Sequence, residues 1–280
     1  MPLTGRVSIS RVKGFMEEKY VQKPIKKLYA LARGQLIGRY SVAILVTLIL
    51  SAVEVLLSFI TGANTMTATT VSYLTSVVIT VVVDLLLGIL VYGQVNFYLK
   101  IARGLNADVV DIFSGFKGVT DKAILVQSVF TAFSVLSLIP SALIRFEVVY
   151  LPKEYELYAE IGVFVLQLLI TFLAKLYFGL SFYILYDHPD WSVPAIFRES
   201  FTLMKKKKGR YTLTYLCAFP LLLAGFIACG LGLLWFVPFF NTLLANFYLD
   251  AVKEEAWNPQ GPSDFTPDRK DGSSTLDIRL

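Results

Sequence analysis

Apolar residues in this chain run in uninterrupted blocks of about twenty, the length an α-helix needs to cross a hydrocarbon core of about 30 Å. The first block is Tyr40 to Thr61, YSVAILVTLILSAVEVLLSFIT. Inside a bilayer every backbone N–H and C=O must find a partner within the protein, which leaves helices or closed barrels. Barrel strands would alternate apolar and polar residues over roughly ten positions, and these blocks do not. Composition agrees. Hydrophobic residues make up 55% of the 280 and charged residues 17%, against about 45–50% and about 25% in soluble domains. With a mean hydropathy of +0.62, a soluble globular enzyme is excluded.

Further blocks follow at Val71 to Tyr98, Ala123 to Ile144 and Tyr158 to Tyr186. The run from Tyr211 to Asp250 is about forty residues, twice a span. Cys229-Gly230-Leu231-Gly232 at its midpoint suits a tight hairpin. Pro140, Pro220 and Pro238 fall inside these blocks and predict kinks rather than breaks. The expected fold is all-α, a polytopic membrane helical bundle of six transmembrane helices plus short interfacial helices. Residues 1–39 form a cytoplasmic N-terminal segment with an interfacial helix, 40–252 the six-helix domain, and 253–280 a disordered tail rich in Pro, Gly, Ser and Asp. The basic, mixed N-terminus reads as no cleavable signal peptide, and the tail carries no prenyl box. Cys217 and Cys229 lie twelve residues apart, about 18 Å along a helix and too far for a disulfide.

Orientation follows from the basic residues. Segments 1–39, 99–122, 187–210 and 253–280 carry nine, four, six and four Lys or Arg, while the intervening loops carry only Arg145 and Lys153. Both termini are therefore expected in the cytoplasm, which agrees with an even number of spans. The net charge of +5 reads as a cytoplasmic face meeting anionic lipid. The run Lys205-Lys206-Lys207-Lys208 lacks the interleaved aromatics of a nucleic-acid surface. It reads as a stop-transfer and lipid-anchoring cluster.

Three segments pattern as helices lying on the membrane. Ile25 to Gln35 places Ile25, Leu28, Tyr29 and Ala32 on one face, and Val109 to Phe116 does the same with Val109, Ile112, Phe113 and Phe116. Trp191 to Lys205 has Ser192 as a candidate cap and Pro194 in its first turn, with a stripe of Val193, Ile196, Phe197, Phe201 and Met204. They read as an interfacial cuff, or alternatively as docking surfaces for a protein partner. The outer loop Phe146 to Leu157 is aromatic and acidic and reads as an interfacial belt.

Motifs for chemistry are scarce. The single histidine, His188, sits in Asp187-His188-Pro189-Asp190, where turn formation and capping are the simplest roles. No HExxH, CxxC, phosphate loop or G-x-S-x-G elbow occurs, so neither metal nor cofactor is expected.

The spans contain three charges, Glu54, Asp84 and Lys175. Each costs about 2.5–3.5 kcal/mol at mid-bilayer, so such residues normally face the interior and pair. Counted from the basic ends of their helices they lie about 21, 21 and 17 Å deep, and the lysine stem covers the difference. They are predicted to form one buried polar cluster. It would be either a structural lock between helices or a proton- or cation-responsive transport site with Gln94, Asn96, Gln167, Asn241 and Asn246 as polar lining.

Several stretches, in order, resemble a known family. They are Tyr92-Gly93 with Asn96-Phe97-Tyr98 and Ala102-Arg103-Gly104; Phe113 to Lys117; Leu138-Ile139-Pro140; Ile184 to Asp190; Phe201 to Lys208; and Gly232 to Trp235 with Val237-Pro238 and Phe247-Tyr248. Over roughly residues 25–252 the chain resembles the DUF975 family of bacterial integral membrane proteins. The resemblance implies a helical bundle in the bacterial cytoplasmic membrane and no catalytic residues. A transport-related or membrane-assembly accessory role is the expectation. An intramembrane enzyme acting on lipid or peptide is the alternative.

Overall fold

A computed structural model of the chain describes residues 23–62, 70–146, 152–227 and 230–257. Its elements are α1 (Ile25–Leu36), α2 (Tyr40–Gly62), α3 (Thr70–Ala102), a 3-10 helix η1 (Val109–Phe116), α4 (Thr120–Arg145), α5 (Lys153–Phe178), α6 (Ser181–Asp187), α7 (Val193–Lys205), α8 (Lys208–Ile227) and α9 (Leu233–Trp257). There is no strand among the described residues. Five stretches are long and apolar enough to cross a membrane: Tyr40–Phe59, Val71–Ala102, Thr120–Ile144, Leu157–Asp187 and Lys208–Ile227. α9 has 25 residues but is not among them, because Asn241, Asn246 and Asp250 dilute its apolar content.

α4, α8 and α9 run unbroken through Pro140, Pro220 and Pro238. α8 and α9 are joined at Gly230, whose φ of 77° suits a residue without Cβ, and Leu233 N–H bonds back to its carbonyl at 3.0 Å. The fourth block, expected as one long helix, is divided at Gly179-Leu180 into α5 and α6. A Cβ on Gly179 would sit 2.8 Å from the Tyr211 hydroxyl, so α8 packs directly against the break.

Burial is strongly one-sided. The largest fully buried side chains include Phe97, Tyr98, Ile184, Leu185, Phe247 and Tyr248. They belong to the ends of α3, α6 and α9 that adjoin the basic segments. At the other ends Phe59, Leu74, Leu136, Leu168, Phe226 and Ile227 are exposed. Only 6–22% of each span's most apolar stretch is buried inside the protein. Lipid is as apolar as leucine and supplies no hydrophobic drive for helices to associate. Tight packing is therefore concentrated where polar and aromatic anchors join the elements.

Each of the three amphipathic segments is helical. In α1 the buried face is Leu28, Ala32 and Leu36. In α7 it is Ile196, Ser200, Leu203 and Met204, so the buried stripe is rotated from the expected one and Phe201 stays exposed. Ser192 does precede α7, but its side chain makes no capping bond. The expected loops at 63–69, 147–151 and 228–229, the N-terminal residues 1–22 and the tail 258–280 lie outside the described residues. Cys229 is among them.

Candidate functional site

Glu54, Asp84 and Lys175, expected as one cluster, stand on α2, α3 and α5. Glu54 and Lys175 are exposed and Asp84 is half-buried, and no ion pair among the described residues joins any two of them. The reason lies in the helix neighbours. Lys175 is on α5, which packs on α4, α7 and α8. The acids are on α2 and α3, whose main partners are η1, α4 and α9 and each other. Equal depth along a helix axis brought no equal azimuth.

The polar residues that do converge lie at the basic end. Arg103, just past α3, donates through Nη2 to both carboxylate oxygens of Asp187, at 2.6 and 2.8 Å. The Tyr248 hydroxyl donates to the same Asp187 at 2.8 Å. The Arg103 guanidinium also lies 5.6 Å from the centre of the Tyr186 ring, and Tyr183 stacks on Tyr248 at 5.2 Å. One carboxylate thus ties the ends of α3, α6 and α9 together. Charge-assisted contacts of this kind are about twice as strong as neutral ones.

Around this tie run five others. Gln35 of α1 donates to the Ala102 carbonyl at 2.9 Å, satisfying an acceptor that the end of α3 leaves open. Its amide oxygen accepts from Asn246 Nδ2 at 2.6 Å. Arg39 donates to the Leu105 carbonyl at 2.9 Å. Arg210 donates to Asp250, which is 1% exposed, and to the Lys23 carbonyl.

η1 is fastened along α3. Asn96 Nδ2 donates to Ser114 Oγ at 2.8 Å, and Lys100 pairs with Asp111 at 2.6 Å. Asp108 and Asp111 form a reciprocal capping box at its start. Backbones meet closely here. A Cβ on Gly93 would lie 1.8 Å from the Ile112 carbonyl oxygen, and one on Gly115 would lie 2.3 Å from that of Ile89.

The expected polar lining is dispersed. Asn96 and Asn246 are buried within this collar, and Asn241 bonds the Val237 carbonyl of its own helix at 3.0 Å. Gln167 donates to the Ser137 carbonyl at 3.3 Å, and Gln94 is half-buried. The four lysines of the 205–208 run divide by role. Lys207 is 4% exposed and donates to the Ala251 carbonyl at 2.9 Å. Lys208 sits over the Tyr177 ring at 3.7 Å, while Lys205 and Lys206 are exposed.

His188 stacks on Trp191 with ring centres 4.1 Å apart. Burial pushes its imidazole below the ordinary value of 6.5, against the upward pull of the Asp187 carboxylate. No three metal-ligating side chains gather among the described residues. Asp187, read as a turn former, is the hub that sequence reasoning missed. Its signal was the pairing of charge type, an acid and an arginine each ending a long span.

Most residues of this hub fall in the stretches that carried the resemblance: Gly93, Asn96 and Arg103, the 113–117 motif, Asp187, and Phe247-Tyr248. The chain matches the family described as protein of unknown function (DUF975) over residues 17–255. It belongs to the DUF975 family. The matched range takes in every described helix except the last two residues of α9. No curated protein and no solved structure matches the chain. In this member of DUF975 the tightly built part is the collar of α1, η1, α6, α7 and the adjoining ends of α3 and α9.

Proposed function

We propose that this chain is a six-span protein of a bacterial cytoplasmic membrane with a membrane-assembly accessory role, holding a laterally open bundle from a collar at the cytoplasmic face. α9 is the sixth span, returning the chain across the bilayer after the Gly230 hairpin. The 23 Lys and Arg of the terminal and even-numbered connecting segments support cytoplasmic termini. The burial of one apolar face each in α1 and α7, beside exposed lysines and arginines, supports an interfacial cuff.

One observation carries the accessory role, the one-sided burial. Helices held at one end and exposed along the other present apolar flanks into which a lipid or another hydrophobic segment can pack. A gated ion pathway is less well supported. Lys175 is on α5, which shares no main interface with α2 or α3, the helices of Glu54 and Asp84, and none of the three lines the apolar groove between α1, α8 and α9.

The test is photocrosslinking in native membranes from Leu136, Leu168 and Phe226, against Tyr98 as a buried control. The accessory reading expects discrete adducts with another membrane protein from the exposed positions and none from Tyr98. Crosslinks confined to bulk lipid at all three positions would contradict it.

A further inference from the structure

We propose that the groove between α1, α8 and α9 binds one anionic glycerophospholipid, its phosphate at Arg33 and one acyl chain against Leu221, Ala224, Trp235 and Phe239. The proposal rests on the reading that α8 and α9 cross the bilayer. The groove has a volume of about 620 Å³, within the range of about 300–1,000 Å³ that small-molecule sites occupy. Its walls from α8 and α9 are wholly apolar, and α1 and the start of α2 close one end with Tyr29, Arg33 and Tyr40. At the other end Gly225 and Gly232 touch. A Cβ on Gly232 would lie 2.6 Å from Gly225 Cα, so the hairpin tip is pinched shut.

Length and charge select the occupant. The Tyr29 hydroxyl donates to the Thr214 carbonyl at 2.9 Å, which fixes the polar end of the groove on α8. From Thr214 to Gly225 is eleven residues, about 16 Å of helix and so about one leaflet of a 30 Å core. Arg33 is the one charged residue of the lining, it is exposed, and no carboxylate among the described residues pairs with it. Lys26, also exposed, lies seven residues before it on the same helical face. A guanidinium at the mouth of an apolar trough matches a phosphate above an acyl chain, and its planar fork can hold two phosphate oxygens at once. Tyr29 is already committed as a donor, which leaves the half-buried Tyr40 as the neutral donor for the glycerol region.

Trp235 in the wall reports occupancy. The full chain with Trp235 as its single tryptophan (Trp191→Phe, Trp257→Phe) is placed in phosphatidylcholine nanodiscs. Brominated phosphatidylglycerol or brominated phosphatidylcholine is then added at equal mole fraction. The proposal expects stronger quenching by the anionic lipid, with relative affinity falling about fivefold in Arg33→Gln and recovering only in part in Arg33→Lys, which restores the charge without the fork. Lys206→Gln, on the exposed part of the lysine run, should leave it unchanged. Equal quenching by the two lipids would overturn the proposal, as would equal losses in Arg33→Gln and Lys206→Gln, which signify diffuse surface attraction. Ala224→Phe fills the trough without touching charge and should weaken quenching by both lipids. Unchanged quenching there would also overturn it. Because both leaflets of the nanodisc carry the same lipid, this result stands or falls independently of orientation and of the photocrosslinking outcome.

Discussion

Asp187 accepts three hydrogen bonds from two partners on separate elements, so its removal leaves a guanidinium and a phenol without their acceptor. Hydrogen bonds to a charged group contribute about 1.5–3 kcal/mol. Side chains of Arg103 and Asp187 are 29% and 22% exposed, and solvent screening lowers that figure. Asp187→Ala should therefore destabilise the detergent-solubilised protein by about 1–2 kcal/mol. The double variant Arg103→Met, Asp187→Leu should lose less than the sum of the two single changes. A thermal-unfolding double-mutant cycle checks this, and strict additivity would contradict the tie. His188 predicts a pH dependence. Its folded-state pKa lies below 6.5, so the unfolded chain binds the proton more readily. The stability this neutral ring contributes is present above 6.5 and is lost as pH falls from there through the lower folded-state pKa. His188→Gln should flatten the acid side of the melting-temperature profile, and an unchanged profile would remove the ring from the explanation.

At the level of elements, the approach of η1 to α3 depends on two positions without a Cβ. Gly93→Ala forces a backbone shift at Ile112, and overpacking of this kind costs about 1–3 kcal/mol. Gly209→Ala, in helix α8 with open space around it, should be neutral or slightly stabilising by its helix propensity. Comparing the two melting temperatures separates steric conflict from any general effect of adding a methyl group. Element positions were largely readable because hydrophobic periodicity and block length are local properties. Ile25 to Gln35 and Val109 to Phe116 emerged as helices with bounds within one residue of those expected. The capping box at Asp108 and Asp111 was missed because an Asp stands where Glu or Gln usually does. The Gly179 break was missed because hydropathy does not register a helix interruption packed against a tyrosine.

The whole molecule shows where such reading fails. Depth along an axis follows from counting, but the azimuth of Lys175 relative to Asp84 depends on which helices are neighbours, a long-range property. Arg103 and Asp187 lie 84 positions apart, and only the closed collar reveals them as one unit. The proposed sidedness, by contrast, rests on totals of basic residues, which do not depend on azimuth. The central claim is that α8 and α9 form a transmembrane hairpin whose open ends lie in the cytoplasm with the collar. The most direct measurement is labelling of intact cells with a membrane-impermeant maleimide, using Leu231→Cys and Lys253→Cys separately in a Cys217→Ala, Cys229→Ala background. Leu231→Cys should react from outside, and Lys253→Cys only after the membrane is permeabilised. Labelling of both from the same side, or the reverse pattern, would contradict the account.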